Sequence, residues 1–455
     1  YNTSIAECNT QNAIWKGIIA DMTNTTYKED ARELPVRGEY DVIVAGSGPA
    51  GVSAAITAGR LGARVLLIEW NNCVGGVSTS GLMSHFTGSV RSGLYTELLT
   101  RMADRNEGAR HGRITKYIDP EKLKAIYLDM LRDANVDILL YTFVCGAVME
   151  GNRIVGIITE SKSGRQVYKA RVFVDGTGDG DVAYHAGVPY HKGRETDGRM
   201  QPATLMFKVA GVDMDRAVLL GSFESTYNTP KGELQALAKA HIPYPAGHLL
   251  AYETTLPGIV TCNMTNCTDV DGTQAEDLTR AEIVCRSQMP AIVAYLREFV
   301  PGFEHCYIIS AGSMMGVRET RHFKGLYTLH EEDILASRVF VDWVVRDASF
   351  NFDVHNLTGA GLDETGCQHH FPQIQGYTIP YRCLIPEIVD GLLLSGRNIS
   401  GTHMAHSNYR VMPICVGIGE ACGVAAALAV QKRIDVREVA VTEIQERLCA
   451  AERRE

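Results

Sequence analysis

A glycine-rich turn near the start of the chain has the spacing of a dinucleotide-binding site. Gly46, Gly48 and Gly51 lie in the segment GSGPAG, and Glu69 follows roughly 20 residues later, as the motif requires. In this motif the first glycine permits a tight turn, the second lets the backbone approach a pyrophosphate, and the third lets helix and strand pack closely. The helix N-terminus donates N–H groups to the phosphates, and the acid accepts hydrogen bonds from a ribose diol. The alternative is a structural turn without a ligand, which the position of the acid disfavours.

Two arginines offer anion-binding chemistry in the second half of the chain. Arg318 and Arg321 lie at i, i+3 spacing in GVRETR and could clamp a carboxylate through bidentate hydrogen bonds. The alternative is a structural ion pair with an acidic neighbour, at Glu319, Glu331 or Glu332. The sequence favours neither interpretation over the other.

Four histidines are candidate proton carriers, because imidazole takes up and releases a proton near neutral pH. They are His369, His370, His403 and His406, with Tyr381 as a weaker candidate. Each could instead be a packing or surface residue. His403 and His406 are slightly favoured, since they lie between two turns that are expected beside the cofactor.

Strands and helices of recognisable pattern must position these residues. Asp41–Ala45 and Arg64–Ile68 read as buried strands on either side of an amphipathic helix. Strand-like runs between residues 147 and 174 predict a β-meander that closes on a glycine–acid turn. Gly391–Ser395 predicts another buried strand, and Pro413 introduces a helix rich in Gly and Ala. Such a helix can bring its backbone against a ring system or against another helix.

The remaining elements are predicted from periodicity alone. Further helices are expected at 93–106, 119–135 and 279–299, with another around Phe340–Val345, and Val136–Val144 predicts a strand. The loop at Gly75 and Gly76 suits close approach to a flat ligand, with a flexible surface loop as the alternative.

Composition excludes several functional classes. The net charge is −9, which argues against a nucleic-acid partner because such partners need a basic face. We expect no apolar run to reach the roughly 20 residues that span a bilayer, and the Ala-rich run at Val424–Val430 predicts a buried helix. We therefore expect a soluble protein, cytoplasmic unless a signal peptide preceded Tyr1.

The cysteines do not predict a metal centre. Twelve cysteines occur without zinc-type pairing, so the sequence predicts no metal site. Cys262 and Cys267 could close a small disulfide loop if the protein is exported, whereas buried thiols are expected elsewhere.

Taken together, these segments resemble the FAD-dependent oxidoreductases of the two-dinucleotide-binding-domain superfamily. The resemblance is to a bacterial branch related to fumarate reductase-like and thiazole-synthase-like flavoproteins. The segments that carry it are GEYDVIVAGSGPAG (38–51), VDGTGDGD (174–181), GVRETR (316–321), IPYRCLIP (379–386), LSGRNIS (394–400) and RVMP (410–413). The implied fold class is α/β, with a Rossmann-like FAD-binding domain, an inserted β-meander and a mixed α+β substrate or cap domain.

The resemblance also implies a domain division and a set of cofactor contacts. The division is a 1–38 extension, a 39–188 FAD-binding first part, a 189–375 substrate or cap domain, a 376–432 FAD-binding second part and a 433–455 tail. Gly46, Gly48 and Gly51 would hold the pyrophosphate, Pro49 and Ala50 would also contact the cofactor, and Glu69 would bind the adenosine ribose. Gly75 and Gly76 would pass beside the cofactor. Asp175, Gly176 and Asp179 would lie near the adenine half, and Gly396, Arg397, Arg410, Met412 and Pro413 near the flavin half.

Three functional hypotheses follow from an FAD site with arginines and histidines beside it. The first is hydride transfer with a CH–OH or CH–CH group of a small polar substrate. The second is reduction of an unsaturated carboxylate held by Arg318 and Arg321, and the third is a non-catalytic FAD-bearing module. No second motif of the GxGxxG type follows the first, so the external electron partner is expected to be oxygen, a quinone or another protein.

Overall fold

The computed structural model describes residues 26–105, 116–362 and 376–453. Residues 26–35 have no regular secondary structure and are largely exposed, and the compact unit runs from Val36 to Glu455. Most of the predicted 1–38 extension therefore lies outside the described residues.

The helices of the compact unit are, in chain order, α1 (Pro49–Arg60), α2 (Gly93–Arg105), α3 (Pro120–Asp133), α4 (Asp181–His185), α5 (Leu234–His241), α6 (Ala275–Phe299), α7 (Glu331–Leu335), α8 (His403–Tyr409), α9 (Met412–Lys432) and α10 (Val441–Glu452).

The strands are β1 (Val36–Ala45), β2 (Val65–Ile68), β3 (Ser89–Arg91), β4 (Asp137–Leu139), β5 (Phe143–Glu150), β6 (Arg153–Glu160), β7 (Gln166–Asp175), β8 (Tyr190–Lys192), β9 (Phe207–Ala210), β10 (Asn228–Thr229), β11 (Gly232–Glu233), β12 (Ala251–Glu253), β13 (Val260–Cys262), β14 (Tyr307–Ala311), β15 (Arg321–Phe323), β16 (Trp343–Ser349), β17 (Tyr377–Pro380) and β18 (Leu392–Leu394).

The largest sheet brings together segments that are far apart in the chain. Its order is β4-β2-β1-β7-β6-β5, with β18 also paired to β7. β1 pairs in parallel with β2 and β7, and β18 pairs in parallel with β7, whereas β5, β6 and β7 form the antiparallel meander. The strands from Val42 to Ala45 and from Leu392 to Leu394 are almost completely buried, as continuous apolar runs in parallel strands predict. The α/β fold class is confirmed, and the carboxyl ends of β1, β7 and β18 meet at one edge.

Helix α9 packs along α1 at very short range. A Cβ atom at Gly419 would lie 2.0 Å from the Ala50 carbonyl oxygen, and one at Gly423 would lie 2.5 Å from the Ala54 carbonyl oxygen. These two glycines therefore serve helix–helix contact, which is the second of the two uses predicted for the Gly- and Ala-rich helix. By length and composition alone, α9 is apolar enough to cross a membrane, which corrects the expectation that no apolar run would be that long. However, 94% of its most apolar 18-residue stretch is buried inside the protein.

A second apolar core lies in the middle of the chain. It contains residues between Ala203 and Cys306 and is built from the antiparallel sheet β12-β13-β9-β14 together with helices α5 and α6. Buried residues from Phe323 to Phe352 pack instead with the larger core, which we call the first core and which contains the buried side chains of β1, β2, β7, β18, α1 and α9. The segment 203–306 is thus the part of the predicted cap that has a core of its own.

Several local predictions are corrected. Phe340–Val345 was predicted as helical, but β16 occupies 343–349 as a strand. Val136–Val144 is divided between β4 and β5, with Tyr141 at a positive φ of 55° between them. The predicted tail contains α10, and Ile444 on that helix belongs to the first core. Cys262 and Cys267 are free thiols, so they form no disulfide in this structure.

Candidate active site

The glycine turn lies at the edge where the parallel strands end. Gly46 has a φ of +84°, and a Cβ atom there would lie 2.4 Å from the Gly176 carbonyl oxygen, so a side chain cannot be accommodated. Gly48 is the N-cap of α1. Among the described residues, no side chain caps that helix and a Cβ atom at Gly48 would meet no atom within 4 Å. The turn therefore leaves open space in front of the N-terminus of α1, which fits a pyrophosphate.

Glu69 lies directly behind this turn. Its carboxylate accepts hydrogen bonds from the Ser47 amide at 2.7 Å, the Ser47 hydroxyl at 2.6 Å and the Asn71 amide at 2.9 Å. A carboxylate offers about four acceptor positions, so one remains for a ribose hydroxyl. The ribose contact stays a prediction, and the structure adds a second role, which is to hold the glycine turn in place.

The loop that follows is packed against the same turn. The Gly75 amide donates to the Ser47 carbonyl at 2.8 Å, and a Cβ atom at Gly76 would lie 2.9 Å from the Gly48 Cα atom. Gly75 is buried at φ +108°. The arrangement is that of an ordered loop rather than the flexible surface loop considered as the alternative.

The acidic residues at the end of β7 and in the turn after it accept hydrogen bonds from other groups of the chain. Asp175 is completely buried and accepts hydrogen bonds from the amide and hydroxyl of Thr177 and from the Ala183 amide. Asp179 accepts from Arg397 Nη2 and from the Thr320 hydroxyl, each at 2.6 Å. Both residues stabilise the turn that follows Gly176, and their predicted contact with the adenine half remains a prediction.

Arg321 has a structural environment. Its guanidinium donates to Asp181 at 2.9 Å and to the Asp179 carbonyl oxygen at 2.8 Å, and it lies 4.3 Å from the centre of the Tyr184 ring. Burial raises the pKa of Asp181 to about 6, despite this arginine. The alternative of an ion pair thus describes Arg321 well, although the partner is Asp181 and not one of the three glutamates considered from the sequence.

Arg318 lies in a different group, which we call the arginine cluster. Its members are Arg318, Arg410, Asp353, Gln201, His248 and His355. Arg410 Nη2 lies 2.9 Å from Asp353 Oδ2, and His355 Nε2 lies 3.4 Å from the same oxygen. Arg318 donates to the Pro202 carbonyl oxygen at 2.5 Å. Burial lowers the pKa of the Arg318 guanidinium to about 10, and the charge of Arg410 acts in the same direction.

The charges and donors of the arginine cluster are not balanced. Burial lowers the pKa of His248 to about 3 and that of His355 to about 4, so both imidazoles are neutral at pH 7. Among the described residues, two guanidinium groups then interact electrostatically with one carboxylate, that of Asp353, which leaves one positive charge. Arg410 Nε, Gln201 Nε2 and His248 Nδ1 are buried without a hydrogen-bond partner among the described residues. The Phe223 ring packs against both histidines, with ring centres 5.0 and 5.3 Å apart. The cluster therefore combines an unpaired cation with an aromatic wall.

A second group, the histidine cluster, contains Glu319, His322, His403 and His406. Glu319 Oε1 lies 2.6 Å from His403 Nδ1 and 2.8 Å from His322 Nε2. Although burial opposes ionisation, the hydrogen bonds from the two imidazoles hold the pKa of Glu319 well below its ordinary value. For His403 burial also opposes the charged form, but Glu319 outweighs it and raises the pKa. Burial lowers the pKa of His406, so that ring is neutral.

Gln201 connects the two clusters. Its backbone amide donates to Glu319 Oε2 at 3.1 Å, while its side-chain oxygen accepts from the His355 amide at 3.2 Å. Among the predicted catalytic residues the structure thus brings His403 and His406 together. Arg318 joins the same network through its hydrogen bond to the carbonyl oxygen of Pro202, the residue after Gln201. Arg321 lies apart from them in its ion pair, and His369 and His370 fall outside the described residues.

Sequence reasoning missed five members of this network, two of which are His248 and His322. Gln201, Asp353 and His355 are isolated polar residues in a segment of mixed periodicity, without a motif around them. The only sequence signal for an acidic partner was the presence of arginines in GVRETR and RVMP, because a buried guanidinium needs an anionic partner somewhere in the chain.

Two of the residues predicted to contact the cofactor near Arg410 lie at the start of a helix. Met412 and Pro413 form the first turn of α9, whose N-terminus offers a positive dipole end. Gly396 follows β18 at the same sheet edge as Gly46, and a Cβ atom there would lie 3.1 Å from the Ala50 Cβ atom. These positions fit a second group of cofactor contacts beside the glycine turn.

Comparisons with known proteins bear on the family of the chain. A family model described as FAD dependent oxidoreductase matches residues 41–448. The chain is 24% identical over 204 residues to digeranylgeranylglycerophospholipid reductase 1 of Methanococcoides burtonii, a match that covers 40% of this chain and 47% of the relative. It is 28% identical over 218 residues to digeranylgeranylglycerophospholipid reductase 2 of Methanothermobacter thermautotrophicus, covering 44% and 54%. The chain thus spans about half the length of the curated relatives it matches.

One solved structure that aligns with the chain is a geranylgeranyl bacteriochlorophyll reductase-like protein from Thermoplasma acidophilum. It aligns with a TM-score of 0.46 and 12% identity, covering 92% of this chain and 84% of that chain. The p-nitrophenol 4-monooxygenase of Pseudomonas putida aligns with a TM-score of 0.48 and 11% identity, covering 91% and 84%.

Proposed function

The chain belongs to the FAD-dependent oxidoreductase family, and we propose that it transfers a hydride between FAD and a small unsaturated carboxylate. Bound FAD supplies the hydride chemistry, while the protein binds the substrate, orients it and exchanges a proton with it. Because this family consists of oxidoreductases, the interpretation as a non-catalytic FAD-bearing module is not retained.

The observation that carries the proposal is the unbalanced charge of the arginine cluster. Arg410 pairs with Asp353, whereas Arg318 donates to the Pro202 carbonyl oxygen and has no carboxylate partner of its own among the described residues. Arg410 Nε and Gln201 Nε2 are buried without a hydrogen-bond partner in the same part of the chain. A buried cation is costly unless it is paired, so this cluster is suited to an anionic ligand. A substrate carboxylate would supply the missing charge and accept hydrogen bonds from these donors. The Phe223 wall would contact the apolar part of the same molecule.

His403 is the best candidate for the proton exchange. Since Glu319 accepts from His403 Nδ1, that nitrogen carries a hydrogen and the ring is held in one orientation. Nε2 is then the nitrogen available to a substrate, and it has no hydrogen-bond partner recorded among the described residues. In this proposal Glu319 positions His403, and His403 delivers the proton that complements the hydride.

Two observations favour reduction over dehydrogenation. The two archaeal relatives are reductases by name, although each match covers about half of their length. The carboxylate-binding role proposed for the arginine cluster also fits the fumarate reductase-like branch that the motifs resemble. The same residues would serve the reverse reaction on a CH–CH or CH–OH group, so direction is the quantity to measure.

The cofactor contacts and the domain division belong to this proposal as well. We assign 39–188 and 376–432 to the FAD-binding part and 189–375 to the substrate part. The agreement between the open glycine turn, the free helix N-terminus and the second turn at Gly396 supports this assignment.

Anaerobic half-reactions test the proposal. The FAD of the purified holoenzyme is photoreduced and mixed with fumarate or with fumaramide, and flavin reoxidation is followed by its absorbance. We expect fumarate to react faster, and Arg318→Met to reduce that preference by roughly 10- to 100-fold, since a hydrogen bond to a charged group is worth about 1.5–3 kcal/mol. Arg216→Met, which removes an exposed arginine, is the matched control. Equal reaction of acid and amide in the unaltered enzyme would refute the carboxylate proposal.

A further inference from the structure

The histidine cluster has the composition of a metal centre. Glu319, His322 and His406 each offer a ligand atom, these atoms lie within 4.8 Å of one another, and all three residues are at most 1% exposed. We propose that these three residues bind one divalent transition-metal ion of the zinc or iron(II) class. This departs from the sequence prediction of no metal site, which rested on cysteine spacing.

The hydrogen bonds of His322 are the first argument. Its Nδ1 lies 3.1 Å from the Gly401 carbonyl oxygen, and its Nε2 lies 2.8 Å from Glu319 Oε1. Both partners are acceptors, so a neutral ring, which carries one hydrogen, can donate to only one of them. With a metal, Nε2 donates its lone pair to the ion, and Nδ1–H donates to Gly401. A histidine ligand whose other N–H is held by a backbone carbonyl is the usual arrangement at a metal.

His406 supplies the second argument. Its Nδ1 is buried and has no hydrogen-bond partner among the described residues. The ring lies 4.9 Å from that of His322, at an interplanar angle of 69°. Buried polar atoms almost always have partners, and an imidazole nitrogen left without one beside a carboxylate and another imidazole is suited to a metal ion. Short helix α8 places His403 and His406 on one face, at i and i+3, so that both face Glu319.

The surroundings of Glu319 are the third argument. Its two oxygens accept from His403 Nδ1 at 2.6 Å and from the Gln201 amide at 3.1 Å. Carboxylate ligands are themselves held by such outer hydrogen bonds. His403 is therefore an outer partner of the metal and keeps Nε2 for other contacts.

The ligand set indicates the class of ion. Two imidazoles and one carboxylate suit zinc or iron(II) better than magnesium or calcium, which prefer oxygen ligands. Three protein ligands leave coordination positions open for water or for an oxygen of a bound molecule. The set carries one negative charge when the imidazoles are neutral, so a divalent ion leaves the centre with one positive charge.

Equilibrium dialysis tests the site without any turnover measurement, and hence independently of the proposed function. Holoenzyme is stripped with dipicolinate and dialysed against zinc sulfate, and zinc and flavin are both quantified. We expect about one zinc per chain, with His322→Gln and His406→Gln each weakening binding by 100-fold or more, beyond the 10- to 100-fold typical of outer partners. His248→Gln removes another buried imidazole, outside the histidine cluster, and should bind zinc as the unaltered enzyme does. Flavin content and circular dichroism identify any variant that has not folded.

X-ray absorption on the zinc-loaded, unaltered enzyme gives a result that no folding defect can confuse. The expected spectrum shows nitrogen and oxygen ligands with the scattering of about two imidazoles. Failure of the unaltered enzyme to take up zinc overturns the proposal, as does zinc bound to sulfur or zinc bound equally well by both variants.

Discussion

Replacing Asp353 by Asn probes the charge balance of the arginine cluster directly. The Asp353 carboxylate lies 2.9 Å from Arg410 Nη2 and 3.4 Å from His355 Nε2. Although burial opposes its ionisation, His355 and the two arginines hold the pKa of Asp353 well below its ordinary value. The substitution keeps the shape of the side chain and removes its charge, so that Arg318 and Arg410 face each other without an anion.

The magnitude follows from how far the pair is buried. Breaking a fully buried ion pair by removing one partner costs about 3–5 kcal/mol, because the other charge is left without compensation. The Asp353 side chain is 25% exposed and that of Arg410 is 13% exposed, so water retains part of the solvation. We therefore expect the free energy of unfolding to fall by about 2–3 kcal/mol.

Urea denaturation followed by circular dichroism measures this loss. Asp347→Asn is the matched control, because Asp347 pairs with Arg91 and these side chains are 56% and 57% exposed, so its loss should cost less than about 1 kcal/mol. Added acetate should restore stability to Asp353→Asn selectively, by about 2.7 kcal/mol at a concentration 100 times its dissociation constant. The reasoning is refuted if Asp353→Asn is as stable as the control, or if acetate stabilises both variants to the same extent.

Two further predictions concern the cofactor turn and the pH response. Gly419→Ala should destabilise the protein by more than about 2 kcal/mol, because its Cβ atom would lie 2.0 Å from the Ala50 carbonyl oxygen. Gly48→Ala, by contrast, should fold normally and bind FAD more weakly. Urea denaturation and FAD titration distinguish the two variants, and equal stability of both would contradict the packing argument. Burial lowers the pKa of His248 to about 3, below the value of about 6.5 expected in the unfolded chain, so its contribution to stability is present above pH 6.5 and is lost as the pH falls towards 3. Between pH 6 and 4 the free energy of unfolding of His248→Gln should consequently fall less steeply than that of the unaltered protein, by up to about 1.4 kcal/mol per pH unit, and parallel pH profiles would show that His248 is not buried as a neutral ring.

The parts of the fold that the sequence predicted are those with a local physical signature. The turn from Gly46 to Gly51 needs particular residues at fixed offsets, so its strands and helix were recognisable. Asp119 was expected to start a helix, and its side chain does cap α3 by accepting from the Glu121 and Lys122 amides. By contrast, the apolar residues of 340–345 fit a helix and a strand equally well, because a short run does not define a period. That segment is a strand because β17 and β3 pair with it, which is information from distant parts of the chain.

The candidate site was predicted only where a motif marked it. Arg318, His403 and His406 lie in or near recognisable segments and were named, but the partner of each depends on tertiary structure. Nothing local indicates that Asp353 lies beside Arg410, 57 residues further on, or that Glu319 lies beside His403 at a separation of 84. Contacts of this kind arise from the packing of sheets and helices, which a single sequence does not encode in a readable pattern.

The close packing of α9 on α1, and of β18 on β7, has a consequence for biogenesis. Residues 49–60 emerge from the ribosome long before residues 392–432, so the nascent chain exposes the glycine turn while the elements that complete it are still unsynthesised. We expect FAD to be retained only after the late segment has been translated and has docked. Until then, the apolar faces of the early strands and of α1 are not covered by α9 and β18.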